Sequence, residues 1–291
     1  RERFTEFYND FYTPSRMTFV VVGDFKAEEM EKRVRETFIS MTNPEKKGNN
    51  PPNDKPPSDH GFRTEVFTDK EISSDDLTLY NIRPYTPKID TKAERLSRYP
   101  LSLAHSILNR RFDVLSKEEG SPILGGGANR SVLFNQIEQG GLTVSPAENK
   151  WKAAIPVMEQ ELRRAFLHGF TQTEVDEAKA RYINAAEQAV KRAPTRESAG
   201  LAMGFIGSIG KKSVFTTPDT SLELAKKGLT RLSPGDCHKA FQKFWGTKDL
   251  SLVLTSRKIE EGTTDTLKRL YLESSNVEVS APEQEVLAAF S

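Results

Sequence analysis

The chain has 291 residues, 36% of them hydrophobic, which suits one large or two ordinary globular domains. Its 42 basic and 41 acidic residues leave a formal net charge of +1, so overall charge gives no support for a nucleic-acid-binding or anionic-membrane-binding protein. The one cysteine, Cys237, excludes an intrachain disulfide, and no apolar run approaches the roughly 18–20 residues that span a bilayer. Three basic doublets lie among acidic residues and are interpreted as solvated faces: Arg110-Arg111, Arg163-Arg164 and Lys211-Lys212.

The first 42 residues predict a helix, a strand and a second helix. Residues 1–12 place aromatic side chains at helical spacing, and Pro14 ends this helix. Residues 17–23 form a continuous apolar run, which is typical of a buried strand, and residues 27–39 form an amphipathic helix. Because two helices cannot cover both faces of such a strand, we interpret residues 1–42 as the C-terminal remnant of a preceding domain. Its open strand edge would recruit another copy of the chain, which makes self-association an expectation.

A proline-rich stretch, residues 43–60, separates this remnant from the rest of the chain. It contains five of the 16 prolines and almost no apolar side chain, which is typical of a linker at a domain boundary. The chain begins with Arg1 rather than Met. We therefore expect it to be an internal piece of a longer protein.

Residues 61–258 predict strands and helices around one sheet. Strands are expected over 62–68, 77–83 and 250–255, a hairpin over 123–145, and helices over 90–116, 151–190 (as a pair), 196–210, 222–229 and 234–245. Pro100 is expected to kink or split the helix in which it lies. Antiparallel strands with helices gathered on one side predict an α+β fold, in which a helical layer covers one face of an antiparallel or mixed sheet.

The clearest local signal is the helical pair over residues 151–190. Gly169 supplies the left-handed backbone that ends the first helix. Thr171 and Glu174 are three residues apart and predict a capping box, in which each side chain accepts a bond from the other residue's backbone N–H. By these residues alone, the pair is an ordinary helical hairpin that covers a sheet. None of its side chains is a candidate for catalysis.

The sequence offers no complete catalytic motif, so we assign no catalytic and no metal-binding residue in this chain. The usual zinc peptidase signature needs two histidines within one helical turn, whereas His60, His105, His168 and His238 are far apart. Cys237 and His238 are adjacent, but they begin an amphipathic helix without a further partner and are interpreted as structural. The G-x-S-x-G elbow of serine hydrolases is absent from the sequence.

The glycine-rich run I-L-G-G-G-A-N-R, residues 123–130, matches neither a P-loop nor a dinucleotide fingerprint. Its plain interpretation is a flexible loop that enters a strand. The alternative is a loop that contacts a peptide or a partner protein, because glycines allow another backbone to approach closely. Gly125, Gly126 and Gly127 are therefore kept as the candidate substrate-binding loop.

Two stretches of the chain together resemble the pitrilysin/insulinase family of zinc peptidases. Residues 7–41 resemble the end of the family's catalytic domain, with an aromatic helix, a Tyr-x-Pro, a strand ending in Val-Val-Gly-Asp and a helix ending in Phe. The matching residues are Tyr12, Pro14, Val21, Val22, Gly23, Asp24 and Phe38. Residues 168–179, H-G-F-T-Q-T-E-V-D-E-A-K, resemble a helix of the family's second domain, and residues 105–131 are similar to its long bacterial members.

The resemblance implies a two-layer α+β sandwich with ferredoxin-like halves. It also implies that residues 61–258 are the non-catalytic second domain of an N-terminal half, and that residues 259–291 are a helical linker toward a C-terminal half. The family's H-x-x-E-H zinc motif would lie upstream of Arg1. Zinc is therefore expected in the parent protein and no cofactor in this chain.

The parent implied by the resemblance is a zinc-dependent endopeptidase that degrades peptides in an enclosed chamber, with this chain as an inactive part of the chamber wall. The expected partners are the remainder of the same polypeptide and peptide substrates, with no nucleic acid and no membrane span. The expected compartment is a bacterial periplasm or cell envelope. The alternative is an inactive peptidase homologue that acts as a structural or peptide-binding subunit.

Overall fold

The structure is a computed structural model that describes residues 1–43 and 59–282. The chain divides into two compact units, one made of Arg1–Asp54 and Arg192–Phe215 and the other of Lys55–Lys191 and Thr216–Ser291. Nearly all of the predicted linker, residues 43–60, lies outside the described residues. No helix of the described ranges is long and apolar enough to cross a membrane.

The elements are numbered in chain order. They are α1 (Glu2–Phe11), α2 (Ala27–Phe38), β1 (Arg63–Thr68), β2 (Asp76–Pro84), α3 (Lys92–Leu96), α4 (Tyr99–Leu115), β3 (Ile123–Leu133), β4 (Ile137–Pro146), α5 (Trp151–His168), α6 (Gln172–Lys191), α7 (Ser198–Gly210), α8 (Pro218–Leu229), α9 (Pro234–Trp245), β5 (Leu250–Ser256) and α10 (Thr263–Ser275). Every helix predicted from the sequence is present, and Pro100 lies in the first turn of α4 after the break from α3.

The described residues of the first unit contain the helices α1, α2 and α7, joined by segments that include the irregular residues 17–26. The prediction of a strand over residues 17–23 is wrong, because that segment forms no strand. A strand needs a neighbour for its backbone hydrogen bonds, and the described part of this unit holds no second strand. Met17 and Phe19 are instead exposed.

The second unit is built on one five-stranded sheet in the order β1-β5-β2-β4-β3. The β1–β5 pair is parallel and the other three pairs are antiparallel. Leu79 lies at the centre of the sheet, opposite Leu142 on β4 and Leu252 on β5. The predicted α+β class with a mixed sheet is confirmed.

Helices cover one face of this sheet. Leu77, Leu79 and Leu254 are fully buried, and they belong to one hydrophobic core with residues from α4, α5 and α9. The residues that alternate with them project from the opposite face. Thr78, Tyr80, Thr143, Ser251 and Val253 are only half-buried there.

Gly125, Gly126 and Gly127 lie within strand β3, so the prediction that they form a loop is wrong. A Cβ at Gly126 would be 3.0 Å from Val144 and 3.1 Å from the Phe112 ring, and one at Gly127 would be 3.1 Å from Asn109. Asn109 on α4 accepts a 2.6 Å hydrogen bond from the backbone N–H of Ala128. Two of the three glycines therefore let α4 pack closely on β3.

The segment predicted to be a helical linker, residues 259–291, includes the helix α10. This helix packs against α5 and β1 in the second unit, with Leu267 fully buried in the core. Ser274 on α10 donates a 2.6 Å hydrogen bond to the buried Glu159 on α5. Residues 283–291 lie outside the described residues.

Candidate functional site

A cleft of about 480 Å³ opens among α4, α5 and α6 of the second unit, and we call it the arginine cleft. Its walls carry three arginines and three glutamates above a small apolar floor. The lining residues are Arg110, Arg111, Val114, Leu115, Glu161, Arg164, Thr171, Thr173, Glu174, Glu177, Ser280, Ala281 and Pro282.

Arg111 forms the back wall of the arginine cleft. Its Nε and Nη2 donate hydrogen bonds of 2.6 and 2.9 Å to the two carboxylate oxygens of Glu174. Its Nη1 donates to Glu161 at 3.1 Å, and Nη2 also donates to the Gly169 carbonyl at 3.0 Å. Its guanidinium lies 5.3 Å from the centre of the Phe170 ring. Only 11% of the Arg111 side chain is exposed, so it is a buried cation with its hydrogen-bonding groups engaged.

Glu174 joins Arg111 to the predicted capping box, which is confirmed. The Thr171 hydroxyl accepts a 3.2 Å bond from the Glu174 N–H, and the Glu174 carboxylate accepts a 2.8 Å bond from the Thr171 N–H. Burial alone would raise the pKa of Glu174, but its bonds with Arg111 and Thr171 bring that pKa below its usual range. The same carboxylate therefore begins α6 and binds α4.

Sequence reasoning misses Arg111, because it places the whole Arg110-Arg111 doublet on a solvated face. That interpretation is wrong for Arg111. The signal was present in the spacing, since Arg111 follows Leu103 and Ile107 at intervals of four residues along the buried stripe of α4. Arg110 is the preceding residue and lies off this stripe, and 44% of its side chain is exposed.

Each of the four histidines makes a hydrogen bond within the protein. His60 bonds the Gly61 carbonyl at 2.6 Å, His168 the Val279 carbonyl at 2.8 Å, and His238 the Phe166 carbonyl at 2.8 Å. His105 accepts a 3.1 Å bond from the indole N–H of Trp245. Across residues 1–43 and 59–282, no group of three His, Cys, Asp or Glu side chains could hold a metal ion. The described residues therefore do not fit a zinc site.

Cys237 is fully buried at the start of α9. Burial, and secondarily the charge of Asp236, raises the pKa of its thiol to about 11. The thiol is therefore protonated at neutral pH and is a poor nucleophile. The neighbouring His238 is engaged with the end of α5 through its bond to Phe166.

The open face of the sheet is a second candidate binding surface. Its central side chains are mostly polar, and the Thr78 and Thr143 hydroxyls lie 3.0 Å apart across β2 and β4. Ser145 donates a 2.8 Å bond to Asp76 on the same pair of strands. The half-buried, hydroxyl-rich character of this face contrasts with the mostly apolar face beneath the helices.

Comparison with known proteins gives the family. Residues 1–182 match the family model described as "Peptidase M16 inactive domain". The chain is 23% identical over 223 residues to the "Probable zinc protease PqqL" of Escherichia coli strain K12, which covers 76% of this chain and 24% of that protein. The chain thus spans about a quarter of the length of this curated relative.

Solved structures share the fold. The first half of the periplasmic protease PqqL from Escherichia coli matches with a TM-score of 0.80 at 18% identity, covering 97% of this chain and 61% of that one. A "Predicted insulinase family protease" from Yersinia pestis matches with a TM-score of 0.78 at 18% identity, covering 94% and 58%. The resemblance to insulinase-type peptidases is confirmed. Because the family model spans more than half of its length, the chain belongs to the peptidase M16 inactive domain family and is a non-catalytic portion of a peptidase-family protein.

Proposed function

We propose that this chain is a wall of the peptide chamber of a longer zinc-dependent endopeptidase. The observation that carries the proposal is the one-sided sheet, with helices on one face and half-buried polar side chains on the other. A face of this kind offers hydroxyls and a tyrosine to an unfolded peptide while the core beneath it stays intact. Peptide contact at Gly125–Gly127 remains a proposal, with Gly125 the member of the run whose Cβ position is open.

In the proposed enzyme the chemistry lies outside this chain. A zinc ion held by the H-x-x-E-H motif of another domain would polarise the scissile carbonyl and activate water. The residues of this chain would orient the peptide and support the catalytic domain. The proposed partners are therefore the rest of the same polypeptide and unfolded peptides, and the proposed compartment is the periplasm, in which the Escherichia coli protease is described.

Exposed apolar side chains on α1 and at the end of α2 support a proposed interface with further polypeptide. Phe4, Phe7 and Tyr8 are 83%, 55% and 59% exposed, and Ile39 is 82% exposed. Such a patch marks a contact surface in soluble proteins. The remainder of the same polypeptide is the proposed occupant, and self-association of two copies is the competing outcome.

The test compares this chain with the longer polypeptide that contains it. The longer protein should hydrolyse unfolded peptides, a zinc chelator should abolish that activity, and the chain alone should show none. Thr143→Lys, on the open sheet face, should lower kcat/KM more than Asn184→Lys on the exposed side of α6, with thermal unfolding as the control for folding. A longer protein that binds peptides without cleaving them would contradict the enzyme and favour the inactive peptide-binding homologue.

A further inference from the structure

The arginine cleft lies among the helices, on the covered side of the sheet, and the proposed chamber wall makes no use of it. Its volume of about 480 Å³ is within the roughly 300–1,000 Å³ of ordinary ligand sites. Its back wall is fixed by Arg111, whose bonds to Glu161, Glu174 and Gly169 leave it no part in binding a further group.

A second arginine fixes the opposite wall. Arg164 donates to Glu161 at 3.1 Å and to the carbonyl and hydroxyl oxygens of Ser280 at 2.7 and 3.0 Å. These bonds hold the segment after α10 against α5. The cleft is therefore bounded by two arginines that are already bound to protein oxygens.

Arg110 differs from Arg111 and Arg164 because it makes no close hydrogen bond among the described residues. Its one contact among the described residues is an ion pair of 3.8 Å with Glu177, which is beyond hydrogen-bond distance. Glu177 already accepts a 3.1 Å hydrogen bond from Arg181. Three arginines and three glutamates line the cleft, and Arg181, outside the lining, also binds Glu177. Arg110 is therefore the lining guanidinium with donors to offer.

An apolar surface lies next to this charge. Val114 follows Arg110 by one helical turn on α4, so the two side chains are neighbours on one face. Val114 is 49% exposed, and Leu115 and Pro282 extend the apolar surface into the cleft. A guanidinium beside an aliphatic surface is complementary to a ligand that has a carboxylate next to an aliphatic side chain.

We propose that the arginine cleft binds a single peptide carboxylate at Arg110, with the adjoining aliphatic side chain on Val114 and Leu115. A single guanidinium with donors to offer favours a group with one negative charge. A planar carboxylate can accept two parallel N–H bonds from a guanidinium. The carboxylate can be the C-terminus of a peptide that ends in an aliphatic residue, or an internal glutamate beside one.

Fluorescence anisotropy with the full chain tests this site and distinguishes the two sources. The probes are a labelled pentapeptide that ends in leucine with a free carboxylate, the same peptide as a carboxamide, and a carboxamide with glutamate before the leucine. Preference for the free carboxylate assigns a chain terminus, and preference for the glutamate peptide assigns an internal acid. Equal affinity for all three probes, or no binding of any, would overturn the proposal.

Variants locate the binding to Arg110. Arg110→Ala should weaken binding by at least about tenfold, the usual scale of a charge-assisted pair. Arg98→Ala is the matched control, because Arg98 is an arginine of similar exposure just before α4, paired with Glu94 at 3.4 Å, and should leave affinity unchanged. Glu177→Gln removes the competing carboxylate and should tighten binding, which a folding defect would not do. Equal affinities for the Arg110 and Arg98 variants, or no gain with Glu177→Gln, would contradict the proposal.

Discussion

Arg111→Ala is expected to lower the free energy of unfolding of the second unit by about 3–5 kcal/mol, the usual cost of removing one partner from a buried ion pair. The substitution leaves the Glu174 carboxylate without its two guanidinium bonds and takes one from Glu161. It also leaves the Gly169 carbonyl, at the end of α5, without its Arg111 donor. Three helices therefore lose their shared cation at once.

Urea denaturation followed by tryptophan fluorescence measures this effect. Both tryptophans of the chain, Trp151 and Trp245, lie in the second unit, so the signal reports the unfolding of that unit. Arg110→Ala is the matched control and should change the unfolding free energy by less than about 0.5 kcal/mol, because exposed charges contribute little. Equal losses for the two variants would show that the Arg111 network does not hold α4, α5 and α6 together.

His105 is expected to make the second unit less stable as the pH falls from 7 to 5. The side chain is 6% exposed, its Nε2 accepts the Trp245 indole N–H, and its ring meets Phe244 at 5.5 Å. Burial, with a smaller contribution from the charge of Arg130, lowers the pKa of His105 to about 4. The unfolded chain, with a histidine pKa of about 6.5, takes up the proton first.

The direction of the pH dependence follows from this difference between the folded and unfolded pKa values of His105. Between pH 6.5 and 4 the unfolded state binds more protons, so stability is complete above pH 6.5 and falls as the pH drops. The expected loss is about 2 kcal/mol from pH 7 to 5, and about 3 kcal/mol once the pH is below 4. The pKa values of Glu138 and Glu174 are lowered, so their contributions are lost only at still lower pH, and the range from 7 to 5 reports mainly His105.

His105→Gln provides the control for this pH dependence. Glutamine offers an acceptor to the indole N–H but does not titrate. The unfolding free energy of the variant should therefore fall by about 2 kcal/mol less than that of the wild-type chain between pH 7 and 5. Identical pH slopes for the two proteins would mean that His105 is not the group that titrates.

The sequence allowed most of the second unit to be predicted, because its signals are local. The capping box of Thr171 and Glu174, the split at Pro100 and the hydrophobic stripe of α4 depend on residues within a few turns of each other. The failures involve distant residues. The strand expected over 17–23 needs a hydrogen-bonding partner, and Gly126 and Gly127 of β3 are explained by Phe112 and Asn109 on α4.

The arginine cleft was the least predictable feature. A basic doublet on a helix usually faces solvent, and only tertiary packing shows that Arg111 turns inward toward two glutamates from other helices. The contrast between Arg110 and Arg111 depends on which positions α5 and α6 cover. That information is in the long-range contacts and not in the local pattern.

A zinc titration of this chain by isothermal calorimetry tests most directly whether it is a non-catalytic portion of a zinc peptidase. We expect no stoichiometric binding, because no group of three His, Cys, Asp or Glu side chains across residues 1–43 and 59–282 could hold a metal ion. A tight site with one zinc ion per chain would contradict it.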